Sequence, residues 1–440
     1  MPVLLFILYC GLCGFGILKI PFFRKSGIRP AVLLTLFGLH VLAGCLHNLI
    51  AWRFYPEHGD IWFYFQFSFL ERHRLLHDMH LFLYYNSSWD AISHNAITFI
   101  QIILDAASFD DMWINTLLLS FPVFLGNTAL YRVFRRQFPG SPLSAATAFL
   151  LPSTLFWTSC IHREAVLFML LGLLFYWLDK SLSGKGTSLS GKDASLAHND
   201  ARLPGKNPRR ALAYASCAFL AIIFFRFAVA LALIPALLVW LLTLRPPPRR
   251  WGWIIGVTGT AVILLFFLAL PQLSAKLLRE LGTLQHSFLV LQGNSRLYLP
   301  VLNDSWASLL EAAPAALRNG LFEPLPGSGG QQIYQLFSLE LLWIWAIVAA
   351  ALLRRLILHK PTDSAPPAST SPTTAIPFSR CCILFALISM LQIGLFIPFA
   401  GAIIRYRSIY LPFLVAPCLY SLRNWQPFQT FNTWLSRYFG

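Results

Sequence analysis

Charge is what this sequence has least of. Asp, Glu, Lys and Arg supply 12% of its 440 residues, about half the roughly 25% carried by a soluble domain. So few charges cannot cover a water-facing surface, which excludes an ordinary soluble globular protein. Acidic residues are the scarcer sign, 18 against 34 Lys and Arg. The eight cysteines include only one C-x-x-C, at Cys10 and Cys13. Without a second pair, that spacing makes no metal knuckle, and small packing residues explain it better. No positive residue precedes the first apolar run and no small-x-small site ends it, so the opening run reads as a span and not as a cleaved signal.

Apolar residues are what is there: 57% of the chain, with 38 Phe and 14 Trp. A helix needs about 20 such residues to cross the hydrocarbon core. Eleven windows approach that length: 2–18, 31–51, 112–134, 142–158, 165–178, 211–225, 227–244, 251–270, 339–353, 381–397 and 408–422. The expected fold is therefore an all-α integral membrane protein of about eleven spans, nine at the fewest and thirteen at the most.

Lys and Arg collect in cytoplasmic loops. With the N-terminus outside, 23 of the 34 basic residues fall on the cytoplasmic side and 14 of the 18 acidic residues on the other. The C-terminus is then cytoplasmic. The net charge of +16 follows from this topology, so the expected surroundings are a lipid bilayer and not a nucleic acid. Two cytoplasmic stretches, 181–210 and 361–377, are rich in Ser, Gly, Pro and Lys and read as disordered linkers. Two outer segments, 52–111 and 271–338, are too apolar for linkers, and interfacial helices fit them better. In the first, "FYFQFSFLERHRLLHDMHLFLYY" suggests a helix along the membrane surface. In the second, Asp304 or Ser305 is placed to cap a helix that Gly320 ends.

Candidate chemistry lies on that outer side. Asp60, after a Gly and before an aromatic run, can be a general base or metal ligand, or simply a helix cap. His73, His77 and His80 stand at i, i+4 and i+7 beside Asp78. That is a possible divalent-metal face, although no H-E-x-x-H is present and interfacial polarity explains it as well. "PSTLFWTSCIHREAV" interrupts two apolar runs with His162, Arg163 and Glu164. Charges at the bilayer centre cost about 2.5 to 3.5 kcal/mol each, so the triplet is expected at an outer turn. Glu164 then starts the next helix, and Arg163 offers a fork of donors suited to phosphate. Arg226, Glu323, Arg405, Tyr406 and Arg407 also fall at outer turns. Snorkelling accounts for an Arg near a helix end, but four arginines on the face where positive charge is depleted suggest an anion site.

These features resemble the GT-C superfamily of multi-span membrane glycosyltransferases, particularly bacterial members of the protein-O-mannosyltransferase and aminoarabinose-transferase type. The residues that carry the likeness are "HGD" at Asp60, the stretch "PSTLFWTSCIHREAVLFMLLGLLFY" and the late "RYRSIYLPF". The resemblance implies an inverting transfer of a sugar from a polyprenyl-phosphate donor to a glycan, lipid or protein acceptor, outside the bacterial inner membrane. Asp60 or Glu164 would be the catalytic carboxylate. His162, Arg163, Arg226, Glu323, Arg405, Tyr406 and Arg407 would bind substrate, with a divalent metal possible. The acidic loop follows the second span here and the first in the family, which makes residues 1–30 an addition. A surface-polysaccharide polymerase or ligase would concentrate its outer residues in one dominant loop, whereas two of similar size are present. A lipid-linked glycan flippase would need polar residues within the spans, which are poor in them.

Overall fold

A computed structural model describes residues 2–54, 60–183, 207–244, 271–293, 295–327, 332–357 and 375–439. The described residues are helical and include no strand; an isolated antiparallel bridge joins Arg296 and Phe399. Among the described residues, seven helices are long and apolar enough to cross a membrane, or eight if one bent pair counts as a span. Their uncovered faces are apolar, with Leu4 75% and Trp343 72% exposed, as suits lipid and not water. The chain is a multi-pass, all-α membrane protein.

It divides into two compact units. One comprises Met1–Arg136, Ala145–Phe227 and Thr430–Gly440; the other comprises Gln137–Ser144 and Ala228–Gln429. The helices of the first are α1 (Pro2–Lys19), α2 (Pro21–Arg24), α3 (Pro30–Phe54), α4 (Asp60–His77), α5 (Met79–Tyr85), α6 (Trp89–Ser108), α7 (Met112–Gln137), α8 (Pro142–Leu150), α9 (Pro152–Thr158), α10 (Arg163–Ser183) and α11 (Pro208–Phe225). Phe124 of α7 anchors its core, ringed by Phe23, Phe37 and Phe149 at centroid separations of 5.9, 5.4 and 5.4 Å. Each such aromatic pair adds about 0.5 to 1.5 kcal/mol beyond the area it buries.

The second unit holds α12 (Phe227–Thr243), α13 (Pro271–Leu289), α14 (Trp306–Leu321), α15 (Gln332–Ile357), α16 (Ala375–Phe396), α17 (Ala400–Ser408) and α18 (Leu411–Leu422), and the last helix, α19 (Gln426–Ser436), is divided, with Gln426–Gln429 in the second unit and the remainder in the first. Phe378 packs on Trp240 at 5.0 Å and on Phe138 at 5.6 Å. Helices α14 and α16 approach so closely that a Cβ on Gly320 would stand 2.0 Å from the Met390 carbonyl oxygen, and one on Gly394 would stand 1.9 Å from that of Ala316. Small residues that bring backbones together are the usual device where lipid removes the hydrophobic drive between helices.

Several expected elements are redrawn. The window 142–158 is not one helix: α8 ends at Leu150 and α9 begins at Pro152. Leu151 between them is extended, at φ −69° and ψ 121°, because a residue before proline is pushed out of the α region. The surface helix over 63–85 also breaks. Asp78 accepts a hydrogen bond from Leu81 N at 3.0 Å and starts α5, so His80 sits on a different helix from His73 and His77. Only the latter two have adjoining rings, at 4.7 Å. The last window, 408–422, corresponds to α18, which follows α17 at a bend of 60°, and α12, with 17 residues, falls among the shorter apolar helices. Ser181–Ser183 complete α10, Pro208–Arg210 open α11 and Ala375–Pro377 open α16. The rest of both expected linkers, like window 251–270, lies outside the described residues.

Candidate functional site

The polar centre of the first unit forms where α3 meets the turn between α9 and α10. Gly44 of α3 permits that meeting, since a Cβ there would lie 2.3 Å from the Ser159 carbonyl oxygen. Close approach then brings buried polar groups of α3 against the turn and α7. Ser159 Oγ sits 3.2 Å from His40 Nδ1, and Asn48 Nδ2 donates to Thr116 Oγ1 at 2.7 Å. The His47 ring packs on Phe156 at 4.5 Å, on Trp157 at 4.8 Å and on His162 at 5.4 Å.

The turn itself is tight. His162 N donates to Cys160 O at 2.8 Å, and Arg163 and Glu164 open α10, where the helix dipole favours a carboxylate. Glu164 is buried and accepts from Arg226 Nη1 at 3.1 Å. Two residues marked separately in the sequence are thus partners, and each offsets the other's desolvation. Asp60 is the first residue of α4, also a position a carboxylate favours. One turn along the same helix, the Tyr64 ring lies 6.5 Å from that of His162. Because i and i+4 share a face, α4 lays the face bearing Asp60 toward the turn.

Three metal-ligating side chains converge there. Donor atoms of His47, Cys160 and His162 all lie within 4.8 Å of one another, and all three residues are buried. This is the three-ligand cluster found among the described residues; the expected face of His73, His77, Asp78 and His80 does not assemble one.

Two further buried carboxylates of this unit escape a reading by motif. Glu71 pairs with Arg74 and accepts from Asn86 Nδ2 at 3.0 Å. Asp105 accepts from Gln101 Nε2 at 2.9 Å and Asn115 Nδ2 at 2.6 Å on Oδ1, while Oδ2 is 2.6 Å from Ser68 Oγ. Burial raises the Asp105 pKa above the ordinary carboxylate value, and the three hydrogen bonds oppose it. The Ser68 hydroxyl is also 2.7 Å from Phe65 O, and a hydroxyl has one proton to give. The one Ser68 proton is therefore shared between Phe65 O and Asp105 Oδ2.

In the second unit, Arg407 is not placed as expected for a phosphate ligand. It is 2% exposed, and Nη1 donates to Glu323 O at 2.8 Å and Gly320 O at 3.3 Å, which satisfies carbonyls at the end of α14. Glu323 is buried too. Its Oε1 accepts from Arg318 Nε and Nη2 at 3.0 and 2.9 Å, and its Oε2 from Leu325 N at 3.1 Å, so its lone pairs are committed to structure. Arg405 lies over the Tyr406 ring at 4.7 Å and donates to its hydroxyl at 2.9 Å. Arg318 also lines a cavity of about 250 Å³ with Leu297, Tyr298, Pro314, Ala315 and Asn319.

The triplet at 162–164 was visible in sequence because charge is conspicuous in an apolar run. His47 was not, since a single His in "CLHNLI" looks like any core residue. No protein-family model, curated protein or solved structure matches the chain.

Proposed function

We propose that this chain is a membrane glycosyltransferase of the GT-C kind, moving a sugar from a polyprenyl-phosphate donor to a hydroxyl acceptor outside the bacterial inner membrane. One observation carries the reading: a turn between apolar helices gathers His162, Arg163 and the Glu164–Arg226 pair, with the Asp60-bearing helix against it through Tyr64. Buried polar groups are costly in such a setting, and in membrane segments they mark substrate pathways by default.

The chemistry divides among them. Asp60 takes the proton of the acceptor hydroxyl, whose oxygen then bonds to the anomeric carbon as the bond to the phosphate oxygen breaks, with inversion. Arg163 meets the charge that develops on the leaving polyprenyl phosphate. Glu164 fits the base less well, because it already accepts from Arg226; it positions that arginine instead. Tyr64 and Trp157 offer faces for sugar rings. In the second unit, Arg405 lies against Tyr406, while Arg407 and Glu323 hold the end of α14.

The test is the surface-glycan profile of a strain lacking the gene. Asp60→Asn is expected to leave the profile deficient at wild-type protein levels. Arg163→Ala is expected to do the same, whereas Arg407→Ala should act by lowering the amount of folded protein. Full restoration of the profile by Asp60→Asn would sink the proposal.

A further inference from the structure

We propose that His47, Cys160 and His162 form a transition-metal site of the zinc or copper class. The donors come from two segments far apart in sequence: α3 supplies His47, and the turn before α10 supplies the other two through a C-x-H spacing. Cys160 is fully buried, His162 is 3% exposed and His47 6%. Trp157 and Phe156 wall the cluster, with ring centroids 4.8 and 4.5 Å from that of His47. Donors on a tetrahedral zinc, at about 2.0–2.1 Å for nitrogen and about 2.3 Å for sulfur, stand roughly 3.5 Å apart. The present separations, at most 4.8 Å, therefore close by roughly 1 Å through rotation of side chains on fixed backbone.

The donor set selects the ion. A thiolate with two imidazoles suits zinc or copper, while the hard, oxygen-seeking magnesium and calcium take carboxylates and carbonyls. Three protein ligands leave a position open, as zinc sites that bind a further molecule do. Binding is balanced by one proton: the Cys160 S–H bond breaks, its proton goes to solvent, and sulfur bonds to the metal, while both histidines bind as neutral imidazoles. A divalent ion on one thiolate carries a net positive charge, placed in the same turn as Arg163. That favours an anionic further ligand. The site stands on its geometry whether or not the protein transfers sugars.

The experiment uses the full chain in detergent micelles, with Co²⁺ as a spectroscopic stand-in for zinc. About one Co²⁺ per chain is expected, with a thiolate-to-metal charge-transfer band, displacement by Zn²⁺ and release of a proton on binding. Cys160→Ser should abolish the charge-transfer band. His162→Gln and His47→Gln should each weaken binding by at least about tenfold, the scale on which even outer partners of a metal act. Cys217→Ser, at an exposed cysteine, should change nothing. Because Cys160→Ser alters one atom, a monodisperse variant that still shows the band overturns the proposal. So does wild-type protein that binds neither Co²⁺, Zn²⁺ nor copper, whatever the glycan profile of the deletion strain.

Discussion

At the residue scale, the polar groups that matter divide by whether a charge is visible against its neighbours. His162, Arg163 and Glu164 break an apolar run and were legible. Asp105 and Glu71 sit in amphipathic stretches where an acidic residue is ordinary, and only their burial in the fold sets them apart. Arg405 and Arg407, alike in sequence, differ because i and i+2 point to different sides of a helix, and one side faces the end of α14. The raised pKa of Asp105 has a consequence for stability. A carboxyl whose native pKa is raised contributes fully below the ordinary Asp range, and the contribution is lost as pH rises through the native value. In Asp105→Asn the oxygen still accepts from Gln101 and Asn115, and the new amide donates to Ser68. The variant should melt at or above the wild-type temperature at neutral pH, with a flatter pH dependence toward acid. Asp105→Ala, which strands two amide donors, should lose about 1–3 kcal/mol. A neutral-pH melt in which Asn is as damaging as Ala would show that the carboxylate is ionised.

At the element scale, helices were predictable and their breaks less so. Pro152 marks a helix start that a hydropathy window smooths over, because proline is apolar enough to pass and acts through its missing N–H. Asp78 hides similarly among helix formers until its side chain is seen to accept from Leu81 N. The expected cap at Ser305 is present, its Oγ accepting from Ser308 N at 3.2 Å. Gly320 does not stop α14, which runs on to Leu321; it serves instead to admit α16. A glycine's role as a contact surface is set by its partner helix and has no local signature. Gly394→Leu should therefore force α14 and α16 apart at a cost of about 1–3 kcal/mol or more, read as a lower melting temperature in detergent. Gly38→Leu, where a Cβ meets nothing within 4 Å, should be tolerated. Equal damage by both would mean that packing at Gly394 is not what holds the pair.

At the scale of the whole molecule, composition fixes the membrane class and charge asymmetry proposes the orientation, but the number of spans tests the two together. An outside N-terminus with a cytoplasmic C-terminus requires an odd count. Among the described residues seven helices are long and apolar enough to cross, or eight with the bent pair α17–α18, and the expected span at 251–270 lies outside them, so the parity has to be tested directly. Helix α12 is a candidate further span at 17 residues, because a helix slightly short of the core is accommodated by local thinning at modest cost. Reporter fusions resolve the count. Alkaline phosphatase, active only outside the cytoplasm, should be active when joined after Asp110, which follows α6, and inactive after Gln137 at the end of α7. Green fluorescent protein, which matures in the cytoplasm, should fluoresce at the C-terminus. The same pair of reporters joined after Phe225 and Thr243 should report opposite sides if α12 crosses. Phosphatase activity after Gln137 would invert the topology, place Asp60 and the 159–164 turn in the cytoplasm, and remove the lipid-linked donor from their reach.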